Sequence, residues 1–595
     1  MKSKEIILRV VFWGWILGQA AAWAEDGQGT VNKVIPSKYG GNGSLNEGAN
    51  VKGVVTGEVS GMPWRAGKQE LGWARIRVWK EGTVWATTRS QTGTGQFQLL
   101  GLPSGTVELE VSRPGFLDFR QKLLLQAGQS LSVRVHLEPD PGYGLIVLPR
   151  LGTAITSIPR ERFTVECRGP ESAHQWRLML ATDYFTRPLE LLRAEYGPKA
   201  VWNRTQPGWQ LTVRVPPGTP AEMYDLQVEF QDAEARRHSS RQAKAVCIQP
   251  AYPDNFLLMP YQDFHLNWFV DKPGPAGEVQ ADYFRAASLL DPLFVSLGDD
   301  IGFDNTGQAP GDDAVAMLHY FVREYLDVPV YLAFGNHDAA LTVEGHEFYF
   351  GPRWQLRRIG PHVGIVISYD LYQAKYEMPA EQRRGVAEML AQLEADPQNR
   401  LIFLAGHRSA FPPEKHEPFF PLPFTSQTRS WLPGNRDDGI SVEFQRLFMD
   451  ALSVRSMHGW GGLNYTGRIV RMEQWRRAEL LPQAALPAVA WDGPNQGTRQ
   501  RVSAAVRRVG QEPWTPPKVS PGFSQLPSRW EGLPEIRTAR LRFVMPRGDY
   551  QCRGGRIVQT VPADHGKLIL IYVSIDLLAP ETLVTVEPAL SKKSP

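Results

Sequence analysis

Three apolar runs, Leu293 to Leu297, Val330 to Phe334 and Leu401 to Ala405, each lead into a glycine followed by polar residues. Short runs that are apolar almost throughout read as strands buried on both faces, the signature of a parallel sheet covered by helices. Val363 to Ser368 has the same strand-like character, whereas Ala380 to Leu393 spaces its apolar positions as a helix does, with acidic residues between them. This part of the chain therefore predicts buried strands layered with helices.

Elsewhere the period drops to two. Ala74 to Val78 and Val107 to Val111 alternate between apolar and polar, and glycine- and proline-rich turns separate such stretches at Thr92 to Gly95, Gly101 to Gly105 and Pro114 to Phe116. That pattern predicts a small β-sandwich over residues 51–139. Residues 140–250 repeat the theme with Arg162 to Glu166, Leu211 to Val215 and Tyr224 to Val228. After a Pro- and Gly-rich stretch, Ala539 to Val544 and Leu568 to Val573 place a third sandwich within 481–595. Residues 25–50, rich in Gly, Asn and Ser, read as a flexible linker.

Polar motifs sit where the buried runs stop. In chain order they are Asp263-Phe264-His265, Gly298-Asp299-Asp300, Gly335-Asn336-His337-Asp338, Gly406-His407 and His458-Gly459-Trp460-Gly461-Gly462. Open α/β sheets gather ligand sites at the carboxyl ends of their strands. Asp, Asn and His are the mixed oxygen and nitrogen donors that Zn, Mn or Fe accept. A glycine ahead of each donor lets the backbone turn sharply and approach closely. One such motif means little, but five in order describe a metal site.

In that order the motifs resemble the calcineurin-like metallophosphoesterase superfamily, whose pattern runs Asp-x-His, Gly-Asp, Gly-Asn-His-Asp/Glu, Gly-His and Gly-His-x-His. The resemblance covers residues 251–480 and is complete at Gly335-Asn336-His337-Asp338. It implies a four-layer α/β/β/α domain with β-sandwich domains on either side. It also implies one or two divalent ions (Mn, Fe or Zn), with Asp263 and His265 on the first, Asp299 bridging, and Asn336, His407 and His458 on the second. His337 would face the substrate and protonate the leaving oxygen, with Asp338 orienting its imidazole, and a hydroxide held by the metals would be the nucleophile. Arg408 and His416 are weaker candidates for contact with the phosphate.

The chain departs from the pattern at its last motif. Trp460 stands where the family has its second histidine, and indole cannot ligate a metal. Two trailing glycines favour this alignment; the alternative sets Ser456 and His458 on the two histidines. Either way one donor is missing, and water, Asp300, Asn464 or Tyr465 is a candidate to replace it. His319, His346 and His362 lie in apolar or strand-like surroundings and read as packing or surface residues.

Two further resemblances concern the β modules. The turn order of 51–139 resembles the carboxypeptidase regulatory-like, transthyretin-type module, and Val215 to Pro220 before Tyr224 resembles the late strands of immunoglobulin-like domains. Such modules imply spacers, or contacts with a cell-surface polymer.

Composition narrows the reading rather than redirecting it. The 595 residues predict several domains, and a net charge of +3 with no basic stripe gives no nucleic-acid footprint. Lys2 and Lys4, the apolar stretch Ile6 to Ala22 and the sequence Ala22-Trp23-Ala24 have the order of a secretory signal over 1–24, so a periplasmic, cell-surface or secreted protein is expected. No other stretch is apolar enough to span a bilayer. Three cysteines are too few for a disulfide framework; Cys167 and Cys247 are either bridged or two buried thiols. Two functions follow: an exported phosphoesterase acting on phosphomonoesters or phosphodiesters, or a surface protein that keeps the scaffold only for binding.

Overall fold

The computed structural model describes residues 53–61, 70–201, 204–261, 266, 276–298, 311–333, 338, 343–368, 380–399, 401–406, 428–433, 469–473, 476–481, 487–508, 538–577, 579 and 581–589. Strands dominate and belong to several sheets.

Two sheets face each other in the first module. Gln96–Leu102, Gly53–Gly61 and Ser130–Leu137 form one, in that order; Thr83–Arg89, Arg75–Lys80, Gly105–Ser112 and Phe119–Leu125 form the other. Their inward residues, Val55, Val59 and Phe97 from one sheet and Ile76, Val78 and Leu109 from the other, share one core. Period-two alternation produces this packing because successive side chains point to opposite faces.

Residues 256–481 supply nine strands and four helices among the described residues. The strands are β1 (Phe256–Tyr261), β2 (Phe294–Gly298), β3 (Val330–Ala333), β4 (Trp354–Ile359), β5 (Val363–Ser368), β6 (Leu401–Gly406), β7 (Thr428–Pro433), β8 (Ile469–Glu473) and β9 (Arg476–Leu481). The helices are α1 (Ala276–Leu290), α2 (Gly311–Tyr325), α3 (Val343–Phe350) and α4 (Ala380–Glu394). One sheet has the order β3-β2-β1-β8-β9, with β1, β2 and β3 mutually parallel. The strands β4, β5, β6 and β7 form the end of a second sheet. Phe294 of β2 meets Phe403 of β6 edge to face at 5.4 Å, so the two sheets share an apolar interior. Helix α4 packs on β4 and β5.

The second sheet does not stop at the α/β region. It has nine strands, running from Thr186–Pro188, His174–Ala181, Glu222–Gln231 and Arg237–Ile248 through the three-residue strand Ile155–Ser157 to β4 and on to β7. Ile155–Ser157 pairs in parallel with Val246 to Ile248 on one side and meets β4 at Ile359↔Thr156 on the other. The segment leading into it is stitched to the same domain. Gly152 sits at φ +84, with its carbonyl accepting from Leu332, and a Cβ there would overlap the Leu332 side chain. Arg150, with no exposed surface, donates Nε to the Ile146 carbonyl and Nη1 to the Phe348 carbonyl of α3.

The C-terminal strands form two sheets as well, in the orders Pro487–Trp491, Val502–Arg508, Glu581–Pro588, Tyr550–Arg553 and Thr538–Pro546, Leu568–Asp576, Arg556–Pro562. Val544, Leu570 and Tyr572 join the same core as Leu178, Tyr224 and Leu226 of the second module.

Ion pairs also link these bodies. Arg75 of the first module pairs with Glu324 of α2, Arg77 with Asp183 of the second module at 2.7 Å, and Arg113 with Asp313 of α2 at 2.6 Å. Lys244 pairs with Asp327 at 2.8 Å, and Arg542 with Glu222 at 2.9 Å. Strand alternation would give Arg75 and Arg77 to water, yet they are 4 % and 3 % exposed, because neighbouring modules cover that face.

Candidate functional site

Strand register determines what the site starts from. Tyr261 of β1 pairs with Leu297 of β2, and Gly298 of β2 pairs with Ala333 of β3. The three parallel strands therefore finish side by side. With neighbours about 4.8 Å apart, the three exits lie within roughly 10 Å along one sheet edge. Asp263 and His265 follow the first exit, Asp299 the second, and Asn336, His337 and Asp338 the third. Phe294, Val295 and Leu297 in β2, and Val330, Tyr331 and Leu332 in β3, are buried, so the apolar runs form fully covered strands as their composition dictates. In the second sheet β6 ends at Gly406, the residue before His407.

Of the expected site residues, Asp338 is described. Asp263, His265, Asp299, Asn336, His337, His407, His458, Arg408 and His416 lie outside the described residues, as do Ser456 and Trp460 with the candidate replacements Asp300, Asn464 and Tyr465. Among the described residues no group of three or more His, Cys, Asp or Glu side chains is arranged to hold a metal ion.

Asp338 is fully buried, and its carbonyl oxygen accepts a hydrogen bond from Nε2 of His346 at 2.9 Å. A carbonyl only accepts, so the His346 proton sits on Nε2 in this contact. His346 is itself fully buried in α3, its ring 6.2 Å from that of Phe350. Two further contacts fix the helix: Arg150 on the Phe348 carbonyl, and the Tyr349 hydroxyl on Oδ1 of Asp312 at 3.3 Å. The backbone of the residue next to His337 is thus tied to a helix anchored near its C-terminal end. Sequence reading took His346 as a packing or surface residue. Its spacing of eight from Asp338 signals nothing, because the partner is a backbone atom.

The other histidines set aside from the sequence are placed differently. His319 is buried in α2, and burial, with Arg323 adding to it, pushes its pKa down to about 3. His362 is half-buried, with Nδ1 2.9 Å from the Gln398 carbonyl. Cys167 and Cys247 are free and buried rather than bridged, and burial pushes both thiols well above the ordinary cysteine range. Among the described residues no helix is long and apolar enough to cross a membrane.

No protein-family model and no curated protein sequence matches the chain. Solved structures give distant likenesses. A purple acid phosphatase from yellow lupin (Lupinus luteus) seeds, 12 % identical, is matched over 61 % of this chain and 74 % of its own, with a TM-score of 0.27. The major pilin subunit of Bacillus cereus, 11 % identical, is matched over 35 % and 71 % with a TM-score of 0.13. A Bacteroides ovatus protein of a mixed-linkage glucan utilization locus, solved with a heptasaccharide, is matched over 36 % and 50 % at 11 % identity with a TM-score of 0.15. Scores this low assign neither fold nor function.

Proposed function

We propose that this chain is an exported, metal-dependent phosphoesterase that hydrolyses phosphomonoesters or phosphodiesters. The observation that carries the reading is the common edge at which β1, β2 and β3 end, because each exit leads within a few residues to a motif of metal-donor residues. We read the two facing sheets with their helices as the four-layer domain that the motifs imply, and residues 1–24 as the export signal.

The donor set fits one or two Mn, Fe or Zn ions: Asp263, His265 and Asp299 on one side, Asn336, His407 and His458 on the other, with Asp299 shared. When bound, such ions polarise the phosphoryl oxygens and lower the pKa of water to supply a nucleophile at neutral pH. His337 donates a proton to the leaving oxygen, and Asp338 holds its imidazole in the orientation for that transfer. In this reading Arg408 and His416 are the weaker candidates for contact with the phosphate oxygens. The β-sandwich modules position the domain against a cell-surface polymer.

Trp460 favours a second reading, a surface protein that retains the scaffold without turnover. One assay separates the two: hydrolysis of para-nitrophenyl phosphate and its bis ester by the purified full-length chain, with and without added Mn or Zn, beside His337→Ala and Asp299→Ala. Metal-dependent turnover lost in both variants is the expected result. Metal binding without turnover under any condition leaves the binding protein.

A further inference from the structure

Residues 299–310 run between β2 and α2, and residues 334–342 between β3 and α3. Asp299 lies in the first of these segments, and Asn336, His337 and Asp338 in the second. Each segment leaves a strand of one parallel set and enters a helix, and both helices are held by a single turn of the first module. We propose, resting on the phosphoesterase reading, that Arg113 in that turn is a positioning residue for the site: it fixes the helices that close the two segments, and through them Asp338 and its neighbour His337.

The turn itself is well braced. The Phe116 N–H closes it on the Arg113 carbonyl at 3.1 Å, with Pro114 and then Gly115, at φ +82, in its centre. That is the residue pattern of a type II turn. Two more backbone bonds, from the Leu117 N–H to the Glu138 carbonyl and from the Asp140 N–H to the Gly115 carbonyl, both 2.9 Å, tie it to residues 138–140. From this base Arg113 reaches α2. Its Nη2 donates to Oδ1 of Asp313 at 2.6 Å and its Nε to the Gly72 carbonyl at 3.1 Å, and the side chain is 2 % exposed. A planar guanidinium bonded in two directions sets orientation as well as distance. The Gly72 backbone passes so close that a Cβ there would lie 2.5 Å from Oδ2 of Asp313. Farther along α2, Trp73 packs against Tyr320 at 5.8 Å and Phe321 at 5.9 Å, and Arg75 pairs with Glu324. The first module therefore grips α2 at both ends.

The same turn meets α3. A Cβ on Gly115 would stand 3.9 Å from the rings of Phe348 and Tyr349, which is van der Waals contact. The Tyr349 hydroxyl donates to Oδ1 of Asp312 at 3.3 Å, so adjacent residues in the first turn of α2 join Arg113 on one side and α3 on the other. His346 of α3 in turn holds the Asp338 carbonyl at 2.9 Å. Arg113, Asp313, Tyr349, His346 and Asp338 are buried and Asp312 is half-buried, so the links from the turn to Asp338 are screened from water. A module that served only as a spacer would need none of them.

The test compares Arg113→Met, Arg113→Lys, Tyr349→Phe and Arg77→Met in the full-length chain with added Mn or Zn. Arg77 is an equally buried cation between modules, but it holds Glu110 and Asp183 rather than either helix, so it controls for lost stability alone. Two substrates are used: para-nitrophenyl phosphate, whose leaving group departs readily as the anion, and phenyl phosphate, whose leaving group needs the proton from His337. Arg113→Met should lower kcat tenfold or more for phenyl phosphate and at most threefold for para-nitrophenyl phosphate, with KM little changed. Arg113→Lys, which keeps the charge but not the fork, should fall between it and the wild type. Tyr349→Phe is the milder change and decides the matter if Arg113→Met does not fold; it should move the ratio of the two rates threefold or more in the same direction. Arg77→Met should leave that ratio unchanged. Hydrogen exchange over Val343–Phe350 should quicken tenfold in Arg113→Met and not in Arg77→Met, a readout that needs no turnover. An unaltered ratio in Tyr349→Phe, an unaltered ratio or unaltered exchange in folded Arg113→Met, or the same shifts in Arg77→Met overturns the proposal and leaves the enzyme standing. A wild type without metal-dependent turnover refutes the phosphoesterase reading itself, and this role with it.

Discussion

Replacing Arg77 with methionine tests how the modules are held together. The guanidinium donates Nε to Oε1 of Glu110 at 2.8 Å and Nη1 to Oδ1 of Asp183 at 2.7 Å, and lies 4.6 Å over the Trp79 ring. Methionine fills part of the volume but leaves Glu110, 2 % exposed, and Asp183 without that cation. Breaking a buried pair by removing one partner costs about 3–5 kcal/mol. A separate route gives the same size. Burial pushes the Glu110 carboxyl up, but Arg77, Arg75 and Arg120 outweigh it and bring the carboxyl from 4.5 down to about 2, worth about 3 kcal/mol at pH 7, part of which belongs to Arg77. Because the folded-state value is depressed, this stabilisation is complete above about pH 4.5 and disappears as the pH falls through 2. In the variant burial gains weight, so Glu110 takes up its proton at higher pH, and the penalty should already shrink at pH 4. Urea unfolding followed by tryptophan fluorescence at pH 7 and pH 4 reads both quantities, and hydrogen exchange of Gly105–Ser112 localises the loss. A further exchange of Glu110 for leucine should recover most of it. Equal stability of Arg77→Met and wild type at pH 7, or a penalty of the same size at both pH values, would refute the argument.

Three other outcomes follow from contacts described above. His346→Phe removes the donor to the Asp338 carbonyl and should lower kcat about tenfold or more with KM little changed. His346→Gln, which can still donate, should retain more activity; equal loss in both variants would make His346 a packing residue only. Gly152→Ala forces a left-handed residue against Leu332 and should cost about 1–3 kcal/mol, seen as a lowered melting midpoint in the first thermal transition. In the native chain a disulfide-exchange reagent should titrate Cys552 alone, with Cys167 and Cys247 reacting after denaturation; three fast thiols in the native state would contradict the buried placement.

What could be read in advance followed from local rules. β2, β3, β5, β6 and α4 fall on the predicted stretches because a run buried on both faces, or a helical apolar stripe, leaves its period in the sequence. The parallel exits of β2 and β3 agree with the expectation that such runs end together, whereas the run that forms β6 ends in the other sheet. Three features had no such trace. Ile155–Ser157 is three residues long, too short to show a period, yet it joins two modules in one sheet. Arg75 and Arg77 occupy the polar phase of an alternating strand, and only the arrival of another module buries them. His346 acts on a backbone oxygen, which carries no residue identity to recognise. Alternation tells which face of a strand is polar. It does not tell whether that face meets water or another part of the same chain.

The nine-stranded sheet also constrains the order of events during synthesis. Ile155–Ser157 leaves the ribosome long before β4, which begins at Trp354, and roughly 200 residues of translation take about 10–40 s. Through that interval the edge that β4 will occupy stays unpaired, and the second module is half of a sheet waiting for its other half. An open strand edge is a template for pairing with any other extended chain. Nascent copies side by side would therefore compete with β4 for that edge, and a chaperone that shields extended segments would act in the window between residues 157 and 354.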